Sequence, residues 1–249
     1  MTRITGHRGA RNLWPENSLT GFRSVLALDV DAVEFDVHLT DAGELVVIHD
    51  ATLERTTEAT GPVRALSPEA RSRTQLKQSD ETIPVLSDVL SAFASNHDKW
   101  LHVEIKSDET GTPYRGIVEK VVAEITGLGL RERCHLTSFD ISVLEHCRRV
   151  APDIARLVSV NAASADRQGG LRQFLASVED LVAIVAVHHE LLEAEWDLVT
   201  AAVPRDRLCV WTLNDEQLIR KWLGRGVGHL TSDSPDLALR LRAEASVNA

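Results

Sequence analysis

The sequence predicts an α/β protein in which a closed (β/α)8 TIM barrel forms a single domain over residues 1–249. The chain has 249 residues, a length at which single barrels of this kind are common. Eight short apolar segments alternate with helical patterns, and strands that are joined by helices must pair in parallel. No internal repeat or low-complexity tract interrupts the alternation. A doubly wound open sheet shares these features and remains the structural alternative.

The eight predicted strands are short and rich in β-branched and aliphatic residues, as is typical of buried strands. They are Ile4–His7, Ala32–Asp36, Leu101–Ile105, Cys134–Ser138, Ala155–Val160, Val182–Val187, Leu208–Thr212 and His229–Ser232. Helical periodicity is found at Asn17–Leu28, Leu86–Ser95, Arg115–Thr126, Ile141–Val150 and Asp215–Leu223. Asn17 or Ser18 is the expected N-cap of the first helix, because both side chains carry an oxygen that accepts a backbone hydrogen bond.

One segment, residues 38–84, departs from this alternation. Thr40–Gly43 is a turn signal, and Glu44–Ile48 directly after it has the composition of a strand. Two strands that are joined by so short a turn form a hairpin and not a crossover. The remainder, residues 52–82, is polar and rich in threonine. We therefore predict that 38–84 is a small insertion on the loop after the second strand.

The charge of the chain limits its partners. Lys and Arg total 27 and Asp and Glu total 37, which gives a formal net charge of −10 at pH 7. An acidic surface repels phosphate groups, so general binding to nucleic acid or to an anionic membrane is disfavoured. A small anionic substrate remains possible only if the site reverses the sign of the charge locally.

The location of the protein is predicted from its cysteines and from its apolar segments. The three cysteines are odd in number and lack zinc-site spacing, which indicates reduced thiols. The longest apolar run, Leu181–Val187, is far shorter than the ~20 residues that span a bilayer. Met1 is not followed by an apolar stretch of signal-peptide length. We expect a soluble, cytoplasmic protein without a membrane span; its oligomeric state is not indicated.

Three carboxylates are expected to meet at the mouth of the barrel. Glu34 and Asp36 lie two residues apart near the end of the second strand, so their side chains share one face. Glu104 occupies the equivalent place near the end of the next barrel strand, and barrel active sites form at this end. A single acid there commonly caps the next helix. Three converging acids, however, require a counter-charge, and a hard divalent cation with oxygen ligands supplies it.

Histidines and basic residues flank these acids. His7 and Arg8 end the first strand, and His49 ends the extra strand of the insertion. Two histidines beside one cation suggest acid–base chemistry, because an ordinary imidazole titrates near neutral pH. The planar fork of Arg8 suits phosphate oxygens, and Lys106 adds a second positive group on the same face. The cation, Arg8 and Lys106 together would reverse the local charge.

The sequence resembles the glycerophosphodiester phosphodiesterase family in a series of blocks that follow one another along nearly the whole chain. These blocks are His7–Gly9, Pro15–Ser18, Glu34–Thr40, His49–Thr57, Ile83–Leu86, Glu104–Lys106, Ser138–Phe139, Val210–Asn214 and Thr231–Pro235. The first four blocks together make the resemblance specific, whereas the later ones alone would be weak.

The resemblance implies a TIM barrel with a small insertion and one divalent cation, Mg²⁺ or Ca²⁺. It places the cation on Glu34, Asp36 and Glu104. It assigns general acid–base catalysis to the two histidines His7 and His49.

The resemblance also implies roles around this centre. Arg8 and Lys106 correspond to phosphate contacts. Glu16 and Asn17 match positions beside the site that support the groups in contact with the substrate. Trp211 matches an aromatic residue that lines the substrate pocket, with a place in the barrel core as its alternative.

The implied activity is hydrolysis of a glycerophosphodiester to sn-glycerol 3-phosphate and an alcohol, within lipid and glycerol metabolism. A related enzyme of the phospholipase D type, acting on intact lipid, would need an apolar docking loop that the polar segment 52–82 does not offer. A non-catalytic barrel that binds a phosphorylated ligand would be expected to lack a metal carboxylate or a histidine, and none is missing. We expect His49 to act as base and His7 as acid, while the alcohol and the metal are left open.

Overall fold

The computed structural model describes residues 1–95 and 98–247. Its strands are β1 (Arg3–His7), β2 (Ala32–Leu39), β3 (Leu45–Val47), β4 (Trp100–Ile105), β5 (Cys134–Ser138), β6 (Ala155–Val160), β7 (Ile184–His188), β8 (Leu208–Trp211) and β9 (His229–Ser232). All of them except β3 pair in parallel, and β1 closes the sheet by pairing with both β2 and β9. The predicted TIM barrel is confirmed, and the open sheet is excluded.

Helices cover the outside of this barrel. They are α1 (Leu19–Val25), α2 (Pro68–Arg71), α3 (Leu86–Ala94), α4 (Ile117–Gly127), α5 (Ile141–Val150), α6 (Ala162–Arg167), α7 (Leu171–Val178), α8 (His189–Ala194), α9 (Trp196–Ala202), α10 (Glu216–Gly224) and α11 (Pro235–Val247). Helix α1 begins later than the predicted Asn17, because Asn17 has a positive φ of 53°. Ser18 is the N-cap, and its side chain accepts a hydrogen bond from the Gly21 N–H.

The segment between β2 and α3 begins with the predicted hairpin. Strand β3 runs antiparallel to β2, with Val47 opposite Val37 and Leu45 opposite Leu39. Because β1 pairs with β2 only as far as Glu34, β3 takes over that edge of β2 farther along. Residues 38 and 39, which the prediction counts within the insertion, lie in strand β2 in the structure. The segment between β2 and α3 comprises residues 40–85.

The insertion has a small core of its own. Seven buried apolar side chains form it: Val46, Ile48, Leu53, Val63, Leu66, Leu76 and Ile83. Strand β3 lies at its start and is wholly buried. The threonine-rich segment is thus folded against the hairpin, which fixes the place of the residues that directly follow β3.

Strand β2 is held from outside by aromatic packing. Phe35 points away from the barrel axis and meets Phe22 of α1 and Phe93 of α3, with ring centroids 5.5 and 6.4 Å away. Edge-to-face and offset contacts of this kind add to the gain from burial alone. Since side chains alternate along a strand, Glu34 and Asp36 face the barrel interior from the same strand.

The barrel interior is unusually polar near its amino-terminal end. His102 lies opposite His135 across the pairing of β4 and β5, and their ring centroids are 5.1 Å apart. His229 of β9 is buried at the same end. Burial lowers the pKa of both His135 and His229 to about 4, helped by the positive charge of Arg3. These histidines are therefore neutral in the folded protein near pH 7.

In the part of the chain that the structure describes, every helix is too short or too polar to cross a bilayer. Cys134, Cys147 and Cys209 are buried free thiols. Burial raises the pKa of each to about 12, so these thiols are held in their unreactive form.

We predict that the two buried histidines His135 and His229 make the fold acid-sensitive. In the unfolded chain, His135 and His229 take up protons as the pH falls below 6.5, while the folded state resists protonation down to about 4. The free energy of unfolding should therefore fall across this interval, by roughly 1–3 kcal/mol for each histidine. Urea denaturation of the His135→Gln and His229→Gln variants across this range should show a shallower fall than the wild type. The His146→Gln variant, at a partly exposed helical position, is the control. Equal slopes in all proteins would contradict the prediction.

Candidate active site

A pocket of about 500 Å³ opens at the carboxyl-terminal end of the barrel strands. Of the residues singled out in the sequence, six line it: His7, Arg8, Glu34, His49, Glu104 and Trp211. Asp36 lies buried directly behind this wall, and Lys106 opens toward an adjoining groove that shares Glu104. Glu16 and Asn17 do not line the pocket and act on it through their neighbours.

The three carboxylates of Glu34, Asp36 and Glu104 form one buried cluster. One oxygen from each lies within 4.8 Å of the others, a spacing at which a single cation can contact all three. The pairing of β2 with β4 creates this arrangement, because it sets Asp36 directly opposite Glu104.

Positive and polar groups partly balance the cluster. Lys106 Nζ lies 3.0 Å from Asp36 Oδ1 and also donates a hydrogen bond to Glu104. Asn17 Nδ2 donates to Asp36 Oδ2 at 2.9 Å, and Arg8 Nε is 3.5 Å from the same oxygen. Burial acts to raise the pKa of Asp36, yet Lys106, His49 and Arg8 hold it well below its usual range.

Glu34 is the least compensated carboxylate of the cluster. Burial, together with repulsion from Asp36 and Glu104, raises the pKa of Glu34 well above its usual value. Among the described residues, its buried Oε1 has no hydrogen-bond partner. A buried carboxylate oxygen without a donor is costly unless a cation occupies the space in front of it. The donor set, all hard oxygens, therefore fits Mg²⁺ or Ca²⁺.

His7 is held at the pocket wall by a carboxylate. Its Nδ1 lies 2.5 Å from Asp233 Oδ1, and its Nε2 lies 3.7 Å from Glu34 Oε2. Asp233 in turn accepts a hydrogen bond from Asn214 Nδ2 at 2.7 Å and pairs with Arg11 Nε at 2.8 Å. Burial lowers the pKa of His7, while Asp233 opposes the shift. The carboxylate keeps the proton of the neutral ring on Nδ1 and leaves Nε2 free to accept one.

His49 repeats this arrangement on the insertion. Its Nδ1 lies 2.5 Å from Asp50 Oδ1, and burial lowers its pKa against the opposing charge of Asp36. The backbone carbonyl of His49 is 3.1 Å from His38 Nε2, and His38 Nδ1 is 2.9 Å from the Tyr114 hydroxyl. Burial lowers the pKa of His38 to about 4, so this ring is neutral and fixes the backbone that carries His49.

The turn after β1 is built around left-handed backbone. Arg8, Gly9 and Ala10 have φ values of 52°, 74° and 66°, a conformation that costs non-glycine residues energy. It allows the Arg8 N–H to donate to Glu34 Oε2 at 3.2 Å while its guanidinium group reaches Asp36. A Cβ at Gly9 would lie 3.1 Å from the Phe22 ring, so glycine also serves close packing here.

The wall opposite the charged groups is apolar. Leu157, Ala186 and Cys209 line it together with Trp211. The Trp211 ring meets the Phe139 ring edge-on, with centroids 5.5 Å apart. The structure thus places Trp211 in the pocket wall and not in the sealed core. The pocket offers charge on one side and an apolar surface on the other.

Several residues of this site were not singled out in the sequence for any role. Asp50 directly follows His49, and Asp233 lies in the block Thr231–Pro235, so both had a detectable signal. Arg55 bridges Glu16 and Asp50, and Arg11 bridges Glu16 and Asp233. Arg55 lies in the block His49–Thr57 and so had the same kind of signal, whereas Arg11 lies outside every block and had none.

Comparison with known proteins gives a consistent result. Residues 7–237 match the sequence profile of the glycerophosphoryl diester phosphodiesterase family. A glycerophosphodiester phosphodiesterase from Bacillus altitudinis is 30% identical over 253 residues, which cover 98% of this chain and 99% of that protein.

The fold has close counterparts among solved structures. A crystal structure from Agrobacterium tumefaciens, provisionally assigned as a glycerophosphoryl diester phosphodiesterase, superposes with a TM-score of 0.89 at 25% identity over 99% of each chain. A second structure with the same provisional assignment, from Silicibacter pomeroyi, gives a TM-score of 0.82 at 26% identity, covering 98% of this chain and 94% of the other.

We predict that the carboxylate cluster binds one divalent cation. Calorimetric titration with Mg²⁺ and with Ca²⁺ should give one binding site, and Glu34→Gln and Glu104→Gln should each weaken it at least about tenfold, since even the loss of a supporting group costs that much. The exposed Glu145→Gln variant is the matched control. Unchanged affinity in both cluster variants would show that the cation binds elsewhere.

Proposed function

Because the chain belongs to the glycerophosphoryl diester phosphodiesterase family, we propose that it hydrolyses small glycerophosphodiesters to sn-glycerol 3-phosphate and an alcohol. The observation that carries the proposal is the pair of carboxylate-held histidines on the wall of one pocket, beside a cluster of three buried carboxylates. The two rings supply proton acceptors and donors, and the cluster supplies a place for a cation.

Under this proposal, Glu34, Asp36 and Glu104 hold one Mg²⁺ or Ca²⁺ ion. When bound, the cation supplies positive charge beside the phosphate and Lewis acidity toward the reacting hydroxyl. The cluster has three carboxylates and two nearby cations, Arg8 and Lys106. A divalent ion would therefore turn the local balance positive, as an anionic substrate on an acidic protein requires.

The two histidines divide the proton transfers. We assign His49 as the base that takes the proton of the attacking hydroxyl, and His7 as the acid that protonates the departing alcohol. Asp233 supports the acid role, because its carboxylate stabilises an imidazolium at His7. By family likeness, the glycerol 2-hydroxyl attacks first, and water then opens the cyclic phosphate with the roles of the histidines reversed.

Arg8 and Lys106 bind and stabilise the phosphoryl oxygens. A preorganised donor of this kind is worth roughly 3 kcal/mol at the transition state in other enzymes. Glu16 keeps the Arg8 guanidinium in place through a contact of 3.1 Å, and Asn17 orients Asp36. The apolar wall at Trp211 accommodates the carbon atoms of the glycerol unit.

The proposal also covers the catalytic domain, the kind of substrate, the cellular location and the metabolic role. It takes residues 1–249 as one catalytic domain, a soluble small molecule as the substrate, a cytoplasmic location, and a role in lipid and glycerol metabolism. Both histidines, Arg8 and two of the three cluster carboxylates line one pocket, and Lys106 opens onto the adjoining groove. This arrangement supports cleavage of the glycerophosphate half whatever alcohol is attached.

We predict that His7→Ala and His49→Ala each lower kcat by about 10²–10⁴, the usual cost of a lost acid–base group. Thermal denaturation should remain close to that of the wild type, because both rings line the pocket and not the packed core. The matched control is His146→Ala, which replaces a partly exposed helical histidine outside the pocket and should leave kcat unchanged. Near-normal kcat in either pocket variant would show that the histidine concerned is structural.

We also predict that deacylated substrates are preferred to intact lipids. Release of glycerol 3-phosphate should be seen from glycerophosphocholine and from glycerophosphoethanolamine, with kcat/KM varying little between them. An excess of EDTA should abolish it, because three carboxylates without a cation repel the phosphate. Full turnover after metal analysis shows an empty site would exclude the cation. Faster cleavage of diacyl phospholipid in vesicles would instead favour a phospholipase D-type activity on intact lipid.

A further inference from the structure

Glu16 lies at the centre of three guanidinium groups. Its oxygens are 3.1 Å from Arg8 Nη1 and 3.5 Å from Arg11 Nη1. Arg55 contacts both of them at once, Nη1 at 2.9 Å and Nη2 at 2.8 Å. The Glu16 side chain is only 11% exposed. Burial opposes its charge, yet the hydrogen bonds from Arg55 and the charge of Arg8 hold the pKa of Glu16 below its usual range.

Two of these arginines, Arg55 and Arg11, also contact the aspartates that hold the two pocket histidines. Arg55 donates to both oxygens of Asp50 at 2.6 and 3.0 Å, and Asp50 holds His49 Nδ1. On the other side, Arg11 pairs with Asp233, which holds His7 Nδ1. Each histidine is thus bound to an aspartate and each aspartate to an arginine, and both arginines end on the same glutamate.

We propose that Glu16, acting through Arg11 and Arg55, is a positioning residue that couples the orientations of His7 and His49. The proposal rests on the acid–base roles assigned to these histidines in the proposed function. We call this set the Glu16 network: Glu16, Arg11, Arg55, Asp50 and Asp233.

The physical reason is geometric. A guanidinium group presents its donors in a rigid fork, so Arg55 fixes the two carboxylates that it bridges relative to each other. Glu16 belongs to the loop after β1, whereas Arg55, Asp50 and His49 belong to the insertion. The fork of Arg55 therefore sets the position of one histidine relative to the barrel loop that carries the other. When one arm is lost, Glu16 is free to move toward the remaining arginine, which changes the geometry at both rings.

Arg55 is the most informative residue to mutate, because it contacts neither the cluster carboxylates nor Arg8. We expect Arg55→Met to lower kcat by about 10- to 100-fold, the cost seen when supporting partners of active-site groups are removed. KM should change less than kcat, since Lys106 is untouched and Asp36 still holds the Arg8 guanidinium. Arg55→Lys should not restore kcat, because an ammonium group cannot bridge two carboxylates in the same way. Arg64→Met is the matched control, since Arg64 is a partly exposed arginine of the insertion that pairs with Asp41.

Coupling is tested by combining the two arms. Arg11→Met should also lower kcat, and the double variant Arg11→Met/Arg55→Met should lose less than the product of the two single losses. A loss equal to that product would show that the arms act independently. Wild-type kcat in Arg55→Met would show that this arm does not position His49. Either result would overturn the proposal.

A second readout does not depend on turnover. The Nδ1–H proton of a histidine that is bound to a carboxylate resonates far downfield in proton NMR spectra and reports that hydrogen bond. We expect Arg55→Met to shift the signal of His7 as well as that of His49, while Arg64→Met shifts neither. A shift confined to His49 would overturn the coupling. If the cross-site shift is seen in a protein that does not cleave glycerophosphodiesters, the proposed function fails and the network stands.

Discussion

The arrangement of the site depends on one constraint, which is the charge of three carboxylates buried within 4.8 Å of one another. Like charges this close cannot all remain ionised in a low-dielectric environment without compensation. Lys106 contacts Asp36 and Glu104 from the end of β4, whereas Arg8 and Asn17 reach Asp36 from the loop after β1. The strained turn at Arg8 also brings its N–H to Glu34. Glu34 is the least compensated of the three, and a divalent cation would stabilise its ionised form.

The fold meets this constraint through β2. All eight of its residues are buried, and alternation gives the strand an apolar outer face and an acidic inner one. Phe35 anchors the outer face between two helices, so Glu34 and Asp36 are held on a rigid element. The extension of β2 to Leu39 then pairs with β3, which delivers His49 to the rim. The strand that carries the acids therefore also places one of the histidines.

Much of this could be predicted from the sequence because the signals are local. Strands Cys134–Ser138, Ala155–Val160 and His229–Ser232 match the prediction residue for residue, and the acidic face of β2 follows from its spacing. The end of β2 could not be predicted, since its last residues are strand only because β3 pairs with them. Asn17 was a possible helix cap in the sequence, but its positive φ follows from the turn before it.

The contacts that join these groups across the site were beyond sequence reasoning for a different reason. His7 and Asp233 are separated by 226 positions, and Glu16 and Arg55 by 39, so only the closed barrel and the docked insertion bring them together. These contacts also explain how histidines of one protein come to differ in chemistry. Burial lowers the pKa of His7 and His49, as it does for His135.

These histidines differ in the hydrogen-bond partner of their Nδ1 atom. His7 and His49 each have an aspartate at Nδ1, which makes a transient imidazolium tolerable. In the described part of the chain, the buried Nδ1 of His135 has no hydrogen-bond partner, so charging that ring would cost the full penalty of burial. Among these three histidines, we therefore expect acid–base capacity to depend on an aspartate at Nδ1, which His7 and His49 have and His135 lacks.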